Sequence, residues 1–132
     1  MPYLLDTNIV SAILRKSNAG AISRLEQCSP GSVMTSIIVA AEARFGIRKK
    51  GSTLLADRLD KLFTKVAVAP FEAPADRHYT ELRTELERRG QPISANDMLI
   101  AAHALALDCT LVTDNEREFR RVPGLAVENW LR

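Results

Sequence analysis

The sequence predicts a single α/β domain, built as three α/β/α layers around a parallel sheet of four or five strands. Three observations lead to this expectation. A chain of 132 residues fits one domain, 1–132, with one core. Short apolar segments alternate with helical segments of about 10–15 residues, which is the pattern of βαβ units. Finally, 46% apolar and 26% charged residues are typical of a globular domain.

Five short apolar segments are expected to form the strands. In chain order they are 3–5 (YLL), 32–36 (SVMTS), 65–71 (KVAVAPF), 109–113 (CTLVT) and 125–130 (LAVENW). Parallel strands direct their carboxyl ends to the same edge of a sheet, and ligands bind beyond that edge where the strand order reverses. Polar residues directly after these strands are therefore the first candidates for a functional site.

The segments between the strands carry helix start and stop signals. One helix begins near Thr7, and the helix after the second strand ends in a basic turn before Gly51, a normal stop. Another covers about 53–63, and Pro74 opens a charged, amphipathic helix. The segment 94–108 is apolar almost all round, so we expect a buried helix there.

Charge and cysteine content exclude several classes of protein. The formal net charge of +2 permits an anionic partner without demanding one. Cys28 and Cys109 lack the spacing of a zinc site or a disulfide framework, so reduced thiols are expected. We see neither a membrane-spanning run nor the order of a secretory signal. A cytoplasmic protein without a membrane partner is therefore expected.

Four acidic residues are candidates for a catalytic centre. Asp6 directly follows the first strand, and Asp114 directly follows the strand at 109–113. Glu42 is the only charge in the apolar segment SIIVAAEA, and Asp97 shares a helix face with apolar residues. An unpaired buried carboxylate is costly, and a metal ion makes it tolerable. Oxygen ligands without His or Cys favour Mg²⁺ or Mn²⁺.

Each acid also has a purely structural interpretation. Asp6 could cap the first helix, and Ser94 with Asp97 fits the capping-box pattern. Glu42 could pair with a basic residue, and Asp114 could open a turn through its side chain. A domain whose acids only cap helices would be an interaction scaffold without catalytic activity. All four acids together, two at strand ends and two on inward helix faces, favour the metal site.

Three motifs resemble those of one known family. The segments LLDTN, ANDMLIAAHALAL and TLVTDNEREFRRVPGL, with Glu42 between the first two, are similar to VapC-type PIN-domain toxins in the same order. The resemblance extends over essentially the whole chain. It implies a PIN-like fold and a Mg²⁺-dependent endoribonuclease that acts as the toxin of a type II toxin–antitoxin system.

The resemblance also implies roles for the acids. By position, Asp6, Glu42 and Asp97 match the three central acids of the family, with Asp6 and Asp97 as direct metal ligands. Glu42 would orient the attacking water or a second ion. The fourth acid of many PIN domains falls on Asn115 here, with Asp114 one residue early. Either residue could complete the site.

Substrate contacts are expected from residues near the same strand ends. Acids that hold a metal repel an RNA backbone, and cations close to them would offset this repulsion. Basic residues near helix ends have a second explanation, because they also interact favourably with the helix dipole. The candidates for substrate binding are Asn8, Asn115, Arg117, Arg120 and Arg121.

The resemblance finally implies partners. The substrate would be RNA, with tRNA as the expected class and initiator tRNA cut in its anticodon loop as the sharpest expectation. DNA is the nearer alternative, because attack by a metal-activated water does not need the 2′-hydroxyl. A VapB-type antitoxin would cover the acidic crevice, and the chain would form a homodimer within a larger toxin–antitoxin complex.

Overall fold

The computed structural model describes residues 1–132 and contains one fully parallel sheet of five strands. The strands are β1 (Tyr3–Leu5), β2 (Val33–Ser36), β3 (Ala67–Ala69), β4 (Thr110–Val112) and β5 (Val127–Glu128). Their order across the sheet is β3-β2-β1-β4-β5. The first strand therefore lies at the centre, and the direction in which strands are added reverses between β1 and β4. This arrangement confirms the predicted parallel α/β fold.

Seven helices connect the strands. They are α1 (Thr7–Arg15), α2 (Ala19–Gln27), α3 (Ile37–Lys50), α4 (Thr53–Leu62), α5 (Ala75–Arg88), α6 (Ala95–Ala106) and α7 (Glu116–Phe119). Helix α1 packs against α2, α3 and α4, while α5 and α6 pack against each other. Two of the seven, α2 and α7, are absent from the sequence-based expectation.

The core lies on both sides of the two central strands. Leu4 and Leu5 of β1 and Leu111 and Val112 of β4 are fully buried. A sheet covered on both faces buries consecutive residues rather than alternate ones, which explains the uninterrupted apolar runs. Helix α6 is buried along nearly its whole length, as its apolar sequence predicts. None of the helices is both long and apolar enough to cross a membrane.

Candidate active site

Asp6 occupies the point where the strand order of the sheet reverses. It directly follows β1, is only 4% exposed and forms the N-cap of α1. Its Oδ1 accepts a hydrogen bond from the backbone N–H of Thr7 at 2.8 Å. Its Oδ2 accepts one from the Thr113 hydroxyl, also at 2.8 Å. Each oxygen keeps a further lone pair, so capping the helix leaves Asp6 able to bind a cation.

The surroundings of Asp6 disfavour its charged form. Burial raises the pKa of the Asp6 carboxyl from 3.8 to about 6, although the bonds from Thr113 and Thr7 oppose this change. The nearby carboxylates of Asp97 and Glu42 raise the pKa further. A cation at this position would reverse the balance by favouring the carboxylate.

Glu42 projects from α3 towards the start of α1. Its Oε1 accepts a hydrogen bond from the Thr7 hydroxyl at 2.7 Å, and its Oε2 accepts one from the Asn96 amide at 3.2 Å. It forms no ion pair, so the structural interpretation of Glu42 as the partner of a basic residue does not hold. Thr7 thus connects Asp6 to Glu42, through its backbone N–H and its hydroxyl.

Asp97 is half-buried in the first turn of α6. Its backbone N–H donates to the hydroxyl of Ser94, the N-cap, at 3.2 Å, which is one half of the predicted capping box. The Asp97 carboxylate instead accepts a bond from the Asn115 amide at 3.4 Å. Burial raises the pKa of Asp97, and the charges of Glu42 and Glu118 raise it further, while Ser94 opposes them.

Glu118 lies next to Asp97, although nothing in the sequence around it indicates this position. It lies in α7, and its Oε2 accepts a hydrogen bond from the same Asn115 amide that contacts Asp97. The short helix α7 creates this contact, because residues three apart lie on the same helix face. The three-residue spacing of Asn115 and Glu118 is compatible with this contact, but the sequence TDNEREF is equally typical of a turn.

Asp114 has different partners from the other predicted acids. Its Oδ1 accepts a hydrogen bond from the Asn129 amide at 3.0 Å and lies 3.9 Å from Nε of Arg132. Its backbone N–H donates to the side chain of Asn8 at 3.0 Å. Asn8 and Asp114 therefore join the end of β4 to the first turn of α1, outside the group formed by the other acids.

We call Asp6, Glu42, Asp97 and Glu118 the acid cluster. None of these four side chains forms an ion pair with Lys, Arg or His. No three of the chain's His, Cys, Asp and Glu side chains lie close enough together to share a metal ion directly. A Mg²⁺ ion bound here would therefore have one or two of these carboxylates as direct ligands and keep several waters, as is usual for Mg²⁺.

The predicted basic residues differ in how they are engaged. Arg120 pairs with Glu116 at 3.0 Å, and Arg121 donates to the carbonyl of Pro92 at 3.1 Å. Arg117 forms no ion pair, so its guanidinium is available to an external anion. Their role in substrate binding stays a prediction, and Arg117 is the one of the three whose guanidinium has no partner in the chain.

The whole chain is similar to known proteins of one family. The family model described as "PIN domain" matches residues 3–125. "Ribonuclease VapC2" of Rickettsia felis is 40% identical in an alignment of 132 positions that covers 98% of each chain. "tRNA(fMet)-specific endonuclease VapC" of Shigella flexneri is 30% identical in an alignment of 134 positions that also covers 98% of each chain.

Solved structures of toxin–antitoxin proteins are also similar to this chain. A chain in the crystal structure of VapBC2 from Rickettsia felis bound to a promoter DNA fragment superposes with a TM-score of 0.90 at 39% identity. That match covers 98% of this chain and 99% of the other. A chain of FitAcB from Neisseria gonorrhoeae gives a TM-score of 0.85 at 30% identity, with 97% of each covered. The chain therefore belongs to the PIN domain family, among its VapC-type endoribonucleases.

Proposed function

We propose that the chain is the toxin of a toxin–antitoxin pair and cleaves tRNA with the help of Mg²⁺. The observation that carries this proposal is the acid cluster, which surrounds Asp6 at the carboxyl end of β1 and forms no ion pair with Lys, Arg or His. A buried carboxyl with a pKa of about 6 beside other acids is a strained arrangement that a bound cation relieves. Perturbed acids in a crevice are typical of catalytic sites.

The residues present are suited to a metal-assisted hydrolysis. When bound, Mg²⁺ acidifies a coordinated water, neutralises phosphoryl charge and orients the phosphate for in-line attack. Asp6 and Asp97 are the proposed direct ligands, with Mn²⁺ able to replace Mg²⁺. Hydrogen bonds from Thr7 and Thr113 hold the two oxygens of the Asp6 carboxylate in a fixed orientation, in which each can still accept a cation.

The other acids have supporting roles in this proposal. Both oxygens of Glu42 are held by donors, so the carboxylate has a fixed orientation and can align the attacking water. Asn115 bridges Asp97 and Glu118, and this bridge holds the fourth acid of the cluster. Asp114 then serves to position Asn8 and the chain after β4.

The tRNA substrate is proposed from the names of relatives. Two relatives, from Shigella flexneri and Salmonella typhimurium, are named tRNA(fMet)-specific endonucleases, at 30% and 28% identity. Initiator tRNA, cut in its anticodon loop, is thus the first substrate to test. Because water rather than a 2′-hydroxyl would attack, single-stranded DNA is the control substrate.

The proposed partners are a VapB-type antitoxin and a second copy of the chain. Several similar solved structures are VapBC toxin–antitoxin complexes, including those from Rickettsia felis and Haemophilus influenzae. In this proposal a Lys or Arg of the antitoxin occupies the acid cluster and competes electrostatically with Mg²⁺. Light scattering on the chain alone tests the homodimer, and a monomer at tens of micromolar would contradict it.

The decisive experiment compares cleavage of initiator tRNA, elongator methionine tRNA and single-stranded DNA. Wild-type protein in Mg²⁺ is expected to cut the initiator tRNA at one position, and EDTA is expected to stop the reaction. Asp6→Asn, checked for folding by thermal melting, should be inactive. Equal cutting of all three substrates would refute the tRNA specificity. Failure to bind Mn²⁺ in calorimetry would favour the non-catalytic scaffold.

A further inference from the structure

A narrow groove leads away from the acid cluster between helices α1 and α3. It has a cavity volume of about 100 Å³, and its lining includes Thr7 and Glu42 of the site together with Arg15 and Lys50. This volume is smaller than the roughly 300–1,000 Å³ of typical small-molecule sites. The groove therefore suits one extended strand or one small group rather than a large rigid ligand.

The two helices contribute matching faces to this groove, which we call the α1–α3 groove. On each helix three of the lining residues follow at intervals of four, so they lie on one face. The remaining lining is apolar and comes from Leu14, Ala43, Ile47 and Leu55, the last from α4. From the site outwards, α1 contributes Thr7, Ser11 and Arg15, and α3 contributes Glu42, Gly46 and Lys50. Thr7 and Glu42 are joined by a hydrogen bond at the inner end. The cations lie eight residues further, or about 12 Å at 1.5 Å per residue.

Neither cation has a partner within the chain. Arg15 and Lys50 are exposed and form no ion pair, whereas Arg120 and Arg121 of the predicted substrate-binding set are engaged. The groove starts at the acidic site and ends at two unpaired cations. These cations can attract the phosphates of a polyanion such as RNA. The acids hold the metal at one phosphate, and the cations can contact a phosphate further along.

Gly46 is a second and independent observation. It lies inside α3, where glycine is unfavourable for a helix, and no turn or left-handed conformation requires it. A Cβ built at Gly46 would meet no atom of the chain within 4 Å. The chain therefore gains nothing in its own packing from this glycine. Its effect is to keep the middle of the α1–α3 groove open and to let a ligand approach the backbone.

We propose that the α1–α3 groove binds the RNA strand beside the cut, with Arg15 and Lys50 contacting a phosphate that is not the scissile one. This proposal rests on the proposed ribonuclease function and adds to it a second phosphate site. Binding in the groove then determines the direction in which the RNA strand crosses the acid cluster. The absence of a side chain at Gly46 leaves room for the sugar–phosphate backbone of the RNA.

The charge test uses Arg15→Ala, Lys50→Ala and the matched control Lys49→Ala. Lys49 is an exposed lysine of the same helix that does not line the groove. Binding of a fluorescent single-stranded RNA of about ten nucleotides is measured by anisotropy in metal-free buffer at several salt concentrations. Arg15→Ala and Lys50→Ala should each weaken binding roughly three- to tenfold and lower the salt slope by about 0.7. Lys49→Ala should do neither.

The steric test uses Gly46→Ala and Gly46→Leu. Both should melt at the same or a higher temperature, because alanine and leucine are better helix formers than glycine and the space is empty. Gly46→Leu fills the groove, so it should weaken RNA binding and raise KM for cleavage at least several-fold. Gly46→Ala should have a smaller effect. A stable Gly46→Leu variant with wild-type KM would refute the groove as an RNA site.

The outcomes distinguish this proposal from the function on which it rests. A wild-type protein that cuts no RNA in Mg²⁺ would overturn the ribonuclease proposal, and the groove proposal with it. A wild-type protein that cuts RNA, with groove variants of unchanged affinity and salt slope, would overturn only the groove. Loss of antitoxin binding without loss of RNA binding would make the groove a protein-binding surface, which also contradicts the proposal.

Discussion

The hydroxyl of Thr113 donates to Oδ2 of Asp6 at 2.8 Å, and both residues are buried. This bond joins the carboxyl ends of β4 and β1, the two strands between which the strand order reverses. It is also the strongest factor that lowers the pKa of Asp6 against the effect of burial. The pairing of β1 with β4 brings Thr113 to Asp6, and the bond from Thr113 favours the charged form of this proposed metal ligand.

Thr113→Val tests this link with a side chain of the same shape. Loss of the hydroxyl should raise the pKa of Asp6 further, so the acid limb of the pH–rate profile should move to higher pH. Stability should fall by about 1–3 kcal/mol, because one carboxylate oxygen loses its buried donor. Thr35→Val is the control, since the buried Thr35 hydroxyl donates to the Leu5 carbonyl and not to an acid. A profile that shifts equally in both variants would contradict the specific role of Thr113.

Asp6 should make the metal-free protein less stable as the pH rises. Its folded pKa of about 6 lies above the ordinary 3.8, so between these values the folded state binds more protons than the unfolded state. The free energy of unfolding should therefore decrease from about pH 4 to about pH 6, by on the order of 3 kcal/mol in total. Denaturant unfolding in EDTA measures this change. In Asp6→Asn most of this dependence should disappear, and a variant that retained it would assign the effect to other groups.

Glu118→Gln should lower the affinity for metal without lowering the stability of the metal-free protein. Without a cation the charges of Glu118 and Asp97 repel each other, so neutralising Glu118 should leave the metal-free melting temperature unchanged or raise it. Mn²⁺ affinity, measured by calorimetry, should fall. The neighbouring Glu116→Gln is the control: hydrogen bonds from Asn129 and Arg120 lower the pKa of Glu116. Glu116→Gln should lose some stability and keep its Mn²⁺ affinity, and the reverse result would exclude Glu118 from the site.

Arg117→Ala should weaken RNA binding more than Arg120→Ala does. Arg117 forms no ion pair, while Arg120 pairs with Glu116 on the surface, a contact worth about 0–1 kcal/mol in stability. Loss of one engaged phosphate contact should lower the salt slope by about 0.7 for a single strand. Cleavage at saturating RNA should change little. If Arg117→Ala lowers only the saturated rate, the residue acts on the transition state and not on binding.

The sheet was predictable because each strand is a short apolar run next to a strong helix signal. Gly51 illustrates this: it ends α3 in the left-handed conformation, as its position after a basic turn predicts. Helix α2 was missed, since Lys16 adopts the left-handed conformation with φ of 54° and Asn18 starts a new helix two residues later. A lysine in that conformation has no clear sequence signal.

The candidate site was predictable only in part. Asp6, Glu42 and Asp97 stand out because each is a single charge in or beside an apolar segment. Glu118 does not, because it lies among other charges and joins the cluster only through Asn115. Thr113 looks like one more β-branched strand residue, and its bond to Asp6 depends on the pairing of β1 with β4. Side-chain contacts between distant segments carry no local pattern.

The bond between Thr113 and Asp6 spans 107 positions of the chain. During translation β1 is made before β4, so one side of β1 stays unpaired until β4 has emerged. Until then Asp6 lacks the Thr113 donor at its Oδ2. The full set of contacts that orient this carboxylate therefore forms only when the sheet closes on both sides of β1.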